Sequence, residues 1–209
     1  MAICEYQSKF IQKYVIANAE GKEMLELGDQ VINPWYAEKI KFNVAKPYYT
    51  SLGYIHTSVD MNGKNGAVRH DLTKPRAEFN GKFHIVTNHG TSEHVIDQYS
   101  VFKQLHDWGA EGCVYGHAVP MDSEQHKTLL NRPWPKHGFW EYNTEFWSEL
   151  AKACNYELIT ATTEVRNPAV KYPMCYYSSG AYIKTKDSKF IEKVEFNELV
   201  KKHLKRCHL

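Results

Sequence analysis

Short apolar runs separated by polar turns dominate the stretch from residue 54 to residue 120. Residues 54–60, 67–72 and 83–88 are three such runs, and a fourth, residues 113–119, follows a segment whose apolar residues recur at helical spacing. Strands that alternate with helices over this length predict a parallel sheet with crossover connections. Ligands of such sheets bind at the carboxyl ends of the strands. The residues that follow each run are therefore the first candidates for a site.

Polar residues stand at the ends of three separate runs: Asp60, Asp71 and Asn88. A carboxylate at the end of the second strand can accept hydrogen bonds from both hydroxyls of a ribose. Met61 beside it can lie on the face of a purine. An acid with an adjacent backbone N–H, as Asp71 and Leu72 offer, matches the exocyclic amine and ring nitrogen of an adenine. These residues predict a site for one adenosine-bearing ligand.

Helical periodicity marks the segments that connect and cover the strands. The predicted helices are residues 5–18, 44–53, 90–109, 144–154 and 188–204. Residues 23–28 predict a buried strand that breaks at Gly28, and residues 29–43 after it predict a long loop. The last two runs, residues 156–162 and 175–183, are joined by a Pro-rich connection that is too short for a crossover helix. We therefore expect this pair of strands to be antiparallel.

Composition and charge narrow the class of protein. The chain has 209 residues, of which 43% are hydrophobic and 24% charged, as in an ordinary globular protein. Its formal net charge of +2 is too small to indicate a nucleic-acid partner. Five scattered cysteines without a Cys-x-x-Cys pair favour reduced thiols in a cytosol-like compartment. With no apolar stretch of ~18–20 residues and no signal pattern, we expect a cytoplasmic protein without a membrane partner. The sequence leaves the oligomeric state open.

The whole chain, residues 1–209, is predicted to form a single domain. Residues 1–20 are expected to form an N-terminal helix, and residues 186–209 a C-terminal helix. Residues 120–142 hold three prolines and several aromatic residues. This segment is predicted to be an irregular loop or lid over a substrate.

Taken in order, the motifs resemble those of the class I S-adenosylmethionine-dependent methyltransferases, and the resemblance extends over residues 24–182. The matching motifs are Met-Leu-Glu-Leu-Gly at residues 24–28, Ser-Val-Asp at 58–60, His-Asp-Leu at 70–72, Lys-Phe-His-Ile-Val-Thr-Asn at 82–88 and Glu-His-Val at 93–95. The resemblance implies an α/β fold: a Rossmann-like, doubly wound, mostly parallel seven-stranded sheet with an antiparallel last strand, in three α/β/α layers.

The resemblance also implies a function. S-adenosylmethionine would be the cofactor, and its methyl group would pass to an oxygen or nitrogen of a small-molecule acceptor. The residues implied in cofactor binding are Glu26, Gly28, Asp29, Gln30, Asp60, Met61, Asn62, Asp71, Leu72 and Asn88. Positioning and exclusion of water supply most of the rate enhancement of such a transfer. A base is needed only for a nucleophile that must lose a proton, and the candidates are His89, His94, His117 and His137.

One departure from the family pattern lies directly after Gly28. The family's first motif continues Gly-x-Gly-x-Gly, which lets the backbone approach the cofactor closely. Here Asp29 and Gln30 follow, and a side chain at Gln30 would crowd a cofactor placed where that loop normally runs. Either the long segment 29–43 reroutes the backbone and supplies Asp29 or Gln30 as polar contacts, or cofactor binding is weak or lost.

Glu93, His94 and His137 leave a second chemistry open. The main prediction includes no metal. In the alternative, this carboxylate and these imidazoles would hold a divalent ion that polarises an acceptor hydroxyl. Metal-assisted O-methyltransferases that act on RNA 3′ ends or quinone precursors look similar, with Glu-x-x-Glu-His on this helix. Gly90 replaces the first of those glutamates.

Two other classes of protein compete with the enzymatic prediction. A dinucleotide-dependent enzyme would also place an acid after the second strand, but it needs a Gly-x-Gly-x-x-Gly fingerprint, which the chain lacks. A non-catalytic, methyltransferase-like module that only binds a partner agrees with the missing glycines.

Overall fold

The computed structural model describes residues 2–130, 137–165 and 176–207. Its main sheet has seven strands, which are, in chain order, β1 (Glu23–Leu27), β2 (Ile55–Asp60), β3 (Val68–Arg69), β4 (Phe83–His89), β5 (Gly109–Pro120), β6 (Glu157–Val165) and β7 (Tyr176–Ile183). Their order across the sheet is β3-β2-β1-β4-β5-β7-β6. β7 is antiparallel to both of its neighbours, whereas the other pairs are parallel. The predicted sheet, including its reversed last strand, is confirmed.

The central strands are apolar on both faces because helices cover the sheet on both sides. Along β1 and β4, Leu25 and Val86 join one hydrophobic cluster, while Met24 and Ile85 join the other. Strands of a parallel sheet buried in this way appear in the sequence as nearly continuous apolar runs. The apolar runs that predicted the strands are therefore a direct consequence of the three-layer architecture.

Seven α-helices are described: α1 (Glu5–Phe10), α2 (Pro34–Ile40), α3 (Ala45–Ser51), α4 (Gln98–Trp108), α5 (Ser123–Leu130), α6 (Glu145–Ala153) and α7 (Lys193–His203). Phe10 of α1 and Tyr49 of α3 belong to the cluster on one face of the sheet. Phe102 of α4, Trp147 of α6 and Phe196 of α7 belong to the cluster on the other face. Within the described residues, no helix combines the length and apolarity that crossing a membrane requires.

The helix predicted to open at residues 90–93 begins later than expected. Ser92–His94 form only a short 3-10 turn, and α4 starts at Gln98. Asp97 is its N-cap: one carboxylate oxygen accepts from the Ser100 N–H at 3.1 Å, and the other accepts from the Ser100 hydroxyl at 2.7 Å. An aspartate side chain that accepts a hydrogen bond from a free N–H of the first turn stabilises the start of a helix at that position. The segment between β4 and α4 is thereby left as a loop at the edge of the sheet.

The segment 120–142, predicted to be irregular, contains α5 and a short strand, Trp140–Tyr142. That strand pairs with Leu204–Arg206, so the predicted C-terminal helix over 186–209 is limited to α7 and followed by a strand. Residues 131–136 of the predicted lid lie outside the described residues, as does the 166–175 connection between β6 and β7.

Two further segments differ from the prediction: the predicted loop 29–43 contains a helix, and the predicted N-terminal helix is not α-helical throughout. The long connection between β1 and β2 contains α2, which starts with Pro34 after the N-cap Asn33, whose side chain accepts from the Trp35 N–H. The N-terminal helix continues from α1 as a π-helical segment, Ile11–Val15, and ends in a 3-10 turn, Ile16–Asn18.

Candidate functional site: a cavity at the strand ends

A cavity of about 650 Å³ lies at the carboxyl ends of β1, β2 and β4. Its size falls within the range of about 300–1,000 Å³ usual for small-molecule sites. Gly28, the last residue of the first motif, lines it together with Asp29 and Gln30, which follow. Four further predicted cofactor residues also line it: Asp60, Met61, Asp71 and Leu72. The structure thus brings together two of the three polar residues that the sequence placed at separate strand ends, Asp60 and Asp71.

The Asp60 carboxylate is oriented by the backbone on both sides. One oxygen accepts from the Asp29 N–H at 2.9 Å, and the other accepts from the Asn62 N–H at 2.8 Å. A carboxylate has about four lone-pair positions, so two oxygens that each accept one such bond can still accept more. Asp60 is therefore held in place and retains acceptor capacity at the wall of the cavity.

The Asp71 carboxylate is fixed by its own turn. One of its oxygens accepts from both the N–H and the hydroxyl of Thr73, at 2.9 and 2.8 Å. These bonds hold the pKa of Asp71 below its usual value, so it is ionised at neutral pH. The carbonyl of Leu72 accepts from the side chain of Gln104, which anchors this part of the wall to α4.

The turn after β1 is filled by protein side chains. Gly28 has a φ of +83°, and a Cβ at this position would lie 2.5 Å from the Thr91 hydroxyl and 2.7 Å from the Gln30 amide nitrogen. That amide is buried and donates to the Leu27 carbonyl and to the Thr91 hydroxyl, both at 3.1 Å. Gln30 therefore takes up space beside Gly28 that the missing glycines would have left open.

The cavity is acidic. Four carboxylates line it, from Asp29, Asp60, Asp71 and Asp97, and no lysine or arginine is among its described lining residues. Asn65 donates to both oxygens of the Asp29 carboxylate, at 3.0 and 2.8 Å. Fields of one sign in a cleft attract ligands of the opposite sign. The site thus suits a cationic ligand and opposes the pyrophosphate of a dinucleotide.

Sequence reasoning missed part of the lining. Thr91, Val95, Ile96 and Asp97 were predicted only as part of the helix 90–109 and not as residues of the site. Asp97 lies inside the predicted helix, and only the structure, in which α4 starts at Gln98, places it at a helix start. Phe139 belongs to the segment 120–142, which was predicted as an irregular loop or lid over a substrate, and it lines the cavity.

Several predicted site residues do not line the cavity in the described part of the chain: Glu26, Asn62, Asn88, His89, His117 and His137. Glu26 is buried 3.5 Å from the His56 ring, and burial raises its pKa well above the usual value. Asn62 meets the site only through its N–H on Asp60. Asn88 is buried and donates to the Ser92 hydroxyl at 2.8 Å.

The two buried histidines, His89 and His117, differ in their hydrogen-bond partners. His117 stacks on Trp147 with ring centroids 4.6 Å apart, and its Nε2 is 2.9 Å from the Tyr182 hydroxyl. The ring nitrogens of His89 have no hydrogen-bond partner among the described residues. Burial lowers the pKa of both histidines to about 3. They are neutral core residues, sealed from the cavity.

His94 and His137 come together at the rim. His94 lines the cavity, and its Nε2 is 3.1 Å from the Nε2 of His137. Burial lowers the pKa of each below its usual value. Two half-exposed, neutral imidazoles thus lie where the cavity meets solvent.

No family model and no curated protein sequence matches the chain, but solved structures do. The 1,6-didemethyltoxoflavin-N1-methyltransferase of Burkholderia thailandensis, solved with 1,6-didemethyltoxoflavin and S-adenosylhomocysteine, has a TM-score of 0.57 and 11% identity, covering 87% of this chain and 77% of its own. A SAM-dependent methyltransferase of Methanosarcina mazei has a TM-score of 0.53 and 10% identity, covering 81% and 96%. The N-methyltransferase NodS of Bradyrhizobium japonicum WM9 has values of 0.51 and 9%, covering 87% and 96%.

These similarities define the fold. The chain has the Rossmann-like α/β fold of S-adenosylmethionine-dependent methyltransferases. Because one fold hosts many functions, its chemistry must be argued from the residues of the cavity.

Proposed function

We propose that this protein transfers a methyl group from S-adenosylmethionine to an oxygen or nitrogen of a small-molecule acceptor. One observation carries the proposal: an acidic cavity at the strand ends of a methyltransferase fold, with the oriented carboxylates of Asp60 and Asp71 in its wall. Ligands of open α/β sheets bind at this edge.

The residues present fit the adenosine part of the cofactor. Asp60 would accept the ribose hydroxyls with its remaining lone pairs. Met61 is 60% exposed beside it and can cover a purine face. Asp71 retains one oxygen without a bond from Thr73, and this oxygen would accept the adenine amine.

The charge of the cavity fits the rest of the cofactor. S-adenosylmethionine carries a sulfonium and an ammonium against one carboxylate, so its net charge is positive. Asp29 and Asp97 extend the negative lining beyond the adenosine contacts. A dinucleotide, with its pyrophosphate, would meet the same carboxylates with repulsion. This difference favours the methyl donor over the dinucleotide alternative.

The apolar side of the cavity suits an organic acceptor. Val95, Ile96 and Phe139 form this wall, and Ile96 is 54% exposed. The cofactor supplies the activated methyl group, while the chain positions the acceptor and excludes water. When no metal ion occupies its Nε2, the neutral ring of His94 can receive a proton from an acceptor hydroxyl or ammonium.

A second candidate, a binding module without catalysis, is favoured by one observation. Gln30 and Thr91 fill the space beside Gly28. In the family, the glycine-rich loop at this position lets the backbone come close to the cofactor. In this case the fold would bind a partner without turning over a methyl donor.

Two measurements test the proposal. Calorimetry of the full chain should show one S-adenosylmethionine bound per chain and no heat with NAD. The protein should then be incubated with a cell extract and isotopically labelled methyl donor, and we expect mass spectrometry to find a labelled small molecule. Donor binding without any labelled product would favour the binding module. Label recovered in nuclease-sensitive RNA would favour the RNA-directed alternative, and absence of donor binding would overturn the proposal.

A further inference from the structure

Three potential metal ligands meet at the rim of the cavity. Glu93 and His94 lie in the turn Ser92–His94, and His137 comes from the segment before the strand Trp140–Tyr142. We infer that they form a binding site for a divalent transition-metal ion. The ligand atoms are a carboxylate oxygen of Glu93 and the Nε2 atoms of His94 and His137.

The spacing of the three atoms matches one shared ion. Glu93 Oε1 is 3.6 Å from the His94 Nε2 and 3.7 Å from the His137 Nε2, and the two nitrogens are 3.1 Å apart. Ligands about 2.0–2.1 Å from a tetrahedral zinc ion are separated from one another by roughly 3.4 Å. The observed distances lie on both sides of this value, so an ion fits with small side-chain adjustments.

The Glu93 carboxylate needs a partner that the described residues do not supply. Its side chain is fully buried, and neither oxygen has a hydrogen-bond partner in the described part of the chain. Buried carboxylates are normally paired or coordinate a metal, because an isolated buried charge is strongly destabilising. The oxygen nearest the two imidazoles is therefore directed at the position that an ion would occupy.

Backbone packing holds the two ligand segments against each other. Gly138 has a φ of +75°, and a Cβ there would lie 2.9 Å from the Glu93 carbonyl oxygen. That carbonyl accepts from the Phe139 N–H at 2.7 Å. A glycine directly after His137 thus lets this segment approach Glu93 closely enough for both histidines to share one ion.

The donor set indicates the class of metal. Two imidazoles and one carboxylate suit zinc and its neighbours in the first transition series. Three protein ligands leave a coordination position open, and the His94 and His137 side chains are 45% and 42% exposed, so an ion can enter. Since His94 also lines the cavity, an acceptor oxygen could take the open position. That last step rests on the proposed function, whereas metal binding does not.

A hydrogen bond between two neutral imidazoles above a protonated Glu93 is the competing account of this geometry. It predicts no affinity for metal. The two accounts therefore differ in a measurement that needs neither the methyl donor nor an acceptor.

The chelator-treated protein should be titrated with Zn²⁺ by calorimetry and with Co²⁺ by visible absorption, both without the methyl donor. We expect one ion per chain. His94→Ala and His137→Ala should each weaken binding at least about tenfold, within the range known for loss of a metal-site residue. Glu93→Gln, which keeps the buried shape, should weaken it similarly. His84→Ala is the matched control, because His84 is a part-exposed histidine 2.7 Å from a carboxylate oxygen of Glu23 and lies at the start of β4, whereas Glu93 follows the end of that strand.

Absence of stoichiometric binding, or binding that His94→Ala and His137→Ala leave unchanged, would overturn the metal site. Metal binding without binding of the methyl donor would support the metal site and contradict only the proposed function. The circular dichroism of each variant should match the wild-type spectrum, so that a loss of binding is not a loss of fold.

Discussion

The Asp60 carboxylate accepts a 2.9 Å hydrogen bond from the Asp29 N–H, which joins the ends of β2 and β1 at the mouth of the cavity. A second backbone N–H, that of Asn62, binds the other oxygen. The orientation of Asp60 is thus set before any ligand arrives. Preorganised groups of this kind lose little entropy on binding, which makes Asp60 the most informative residue of the site to change.

Asp60→Asn should weaken S-adenosylmethionine binding by about 10- to 100-fold, since a hydrogen bond to a charged group contributes about 1.5–3 kcal/mol. Calorimetry measures the change in affinity. Asp187→Ala, at an exposed aspartate away from the cavity lining, should leave the affinity unchanged. Equal affinities of the wild-type and Asp60→Asn proteins for the methyl donor would show that the Asp60 carboxylate does not bind the ribose.

Asp97 has two roles that can be separated by substitution. Asp97→Ala should destabilise the protein by about 1 kcal/mol, because α4 loses its N-cap. Asp97→Ser keeps a capping oxygen but not the charge, so its stability should stay near the wild-type value. If the carboxylate attracts a cationic ligand, both variants should bind the methyl donor more weakly. A loss of affinity in Asp97→Ala alone would assign the effect to the cap.

Gly28→Ala should be more destabilising than Gly53→Ala. Both glycines have φ near +85°, but a Cβ at Gly53 would meet no atom within 4 Å, whereas one at Gly28 would crowd Thr91 and Gln30. Gly53→Ala should cost about 1–2 kcal/mol from the left-handed backbone alone. Gly28→Ala should cost roughly 1 kcal/mol more, from displaced hydrogen bonds. Urea unfolding of the two variants compares them, and equal free energies would show that the space beside Gly28 adapts.

His89 should make the protein sensitive to acid. Its folded pKa of about 3 lies below the value of about 6.5 expected in the unfolded chain. The unfolded state therefore binds more protons between these values, and stability falls as the pH falls from 6.5 towards 3. His89→Leu removes this linkage and two buried ring nitrogens without partners.

The free energy of unfolding should be measured for both proteins across that pH range. Relative to His89→Leu, the wild type should lose stability by about 1.4 kcal/mol per pH unit. The pKa of His117 is low mainly because of its own burial, so most of its contribution is common to both proteins and cancels in the comparison. Parallel stability curves would show that His89 titrates normally in the folded state.

Much of the fold and part of the site follow from local sequence. The apolar runs predicted the central strands, and the short Pro-rich connection predicted the antiparallel pair of β6 and β7. Asp60 and Asp71 were predicted at the cavity because strand ends of a parallel sheet share one edge. The start of α4 was predicted too early, because the capping of Asp97 competes with equally plausible hydroxyl residues upstream.

The remaining features depend on contacts between distant parts of the chain. Sequence alone determined where the strands lie along the chain and which acids follow them, because periodicity and turn residues act locally. Only the tertiary structure decided that Gln30 folds back onto Thr91, that His89 and His117 are sealed in the core, and that His137 reaches Glu93. Each depends on where a side chain finds space and a partner across the fold, and residues close in sequence do not encode that information.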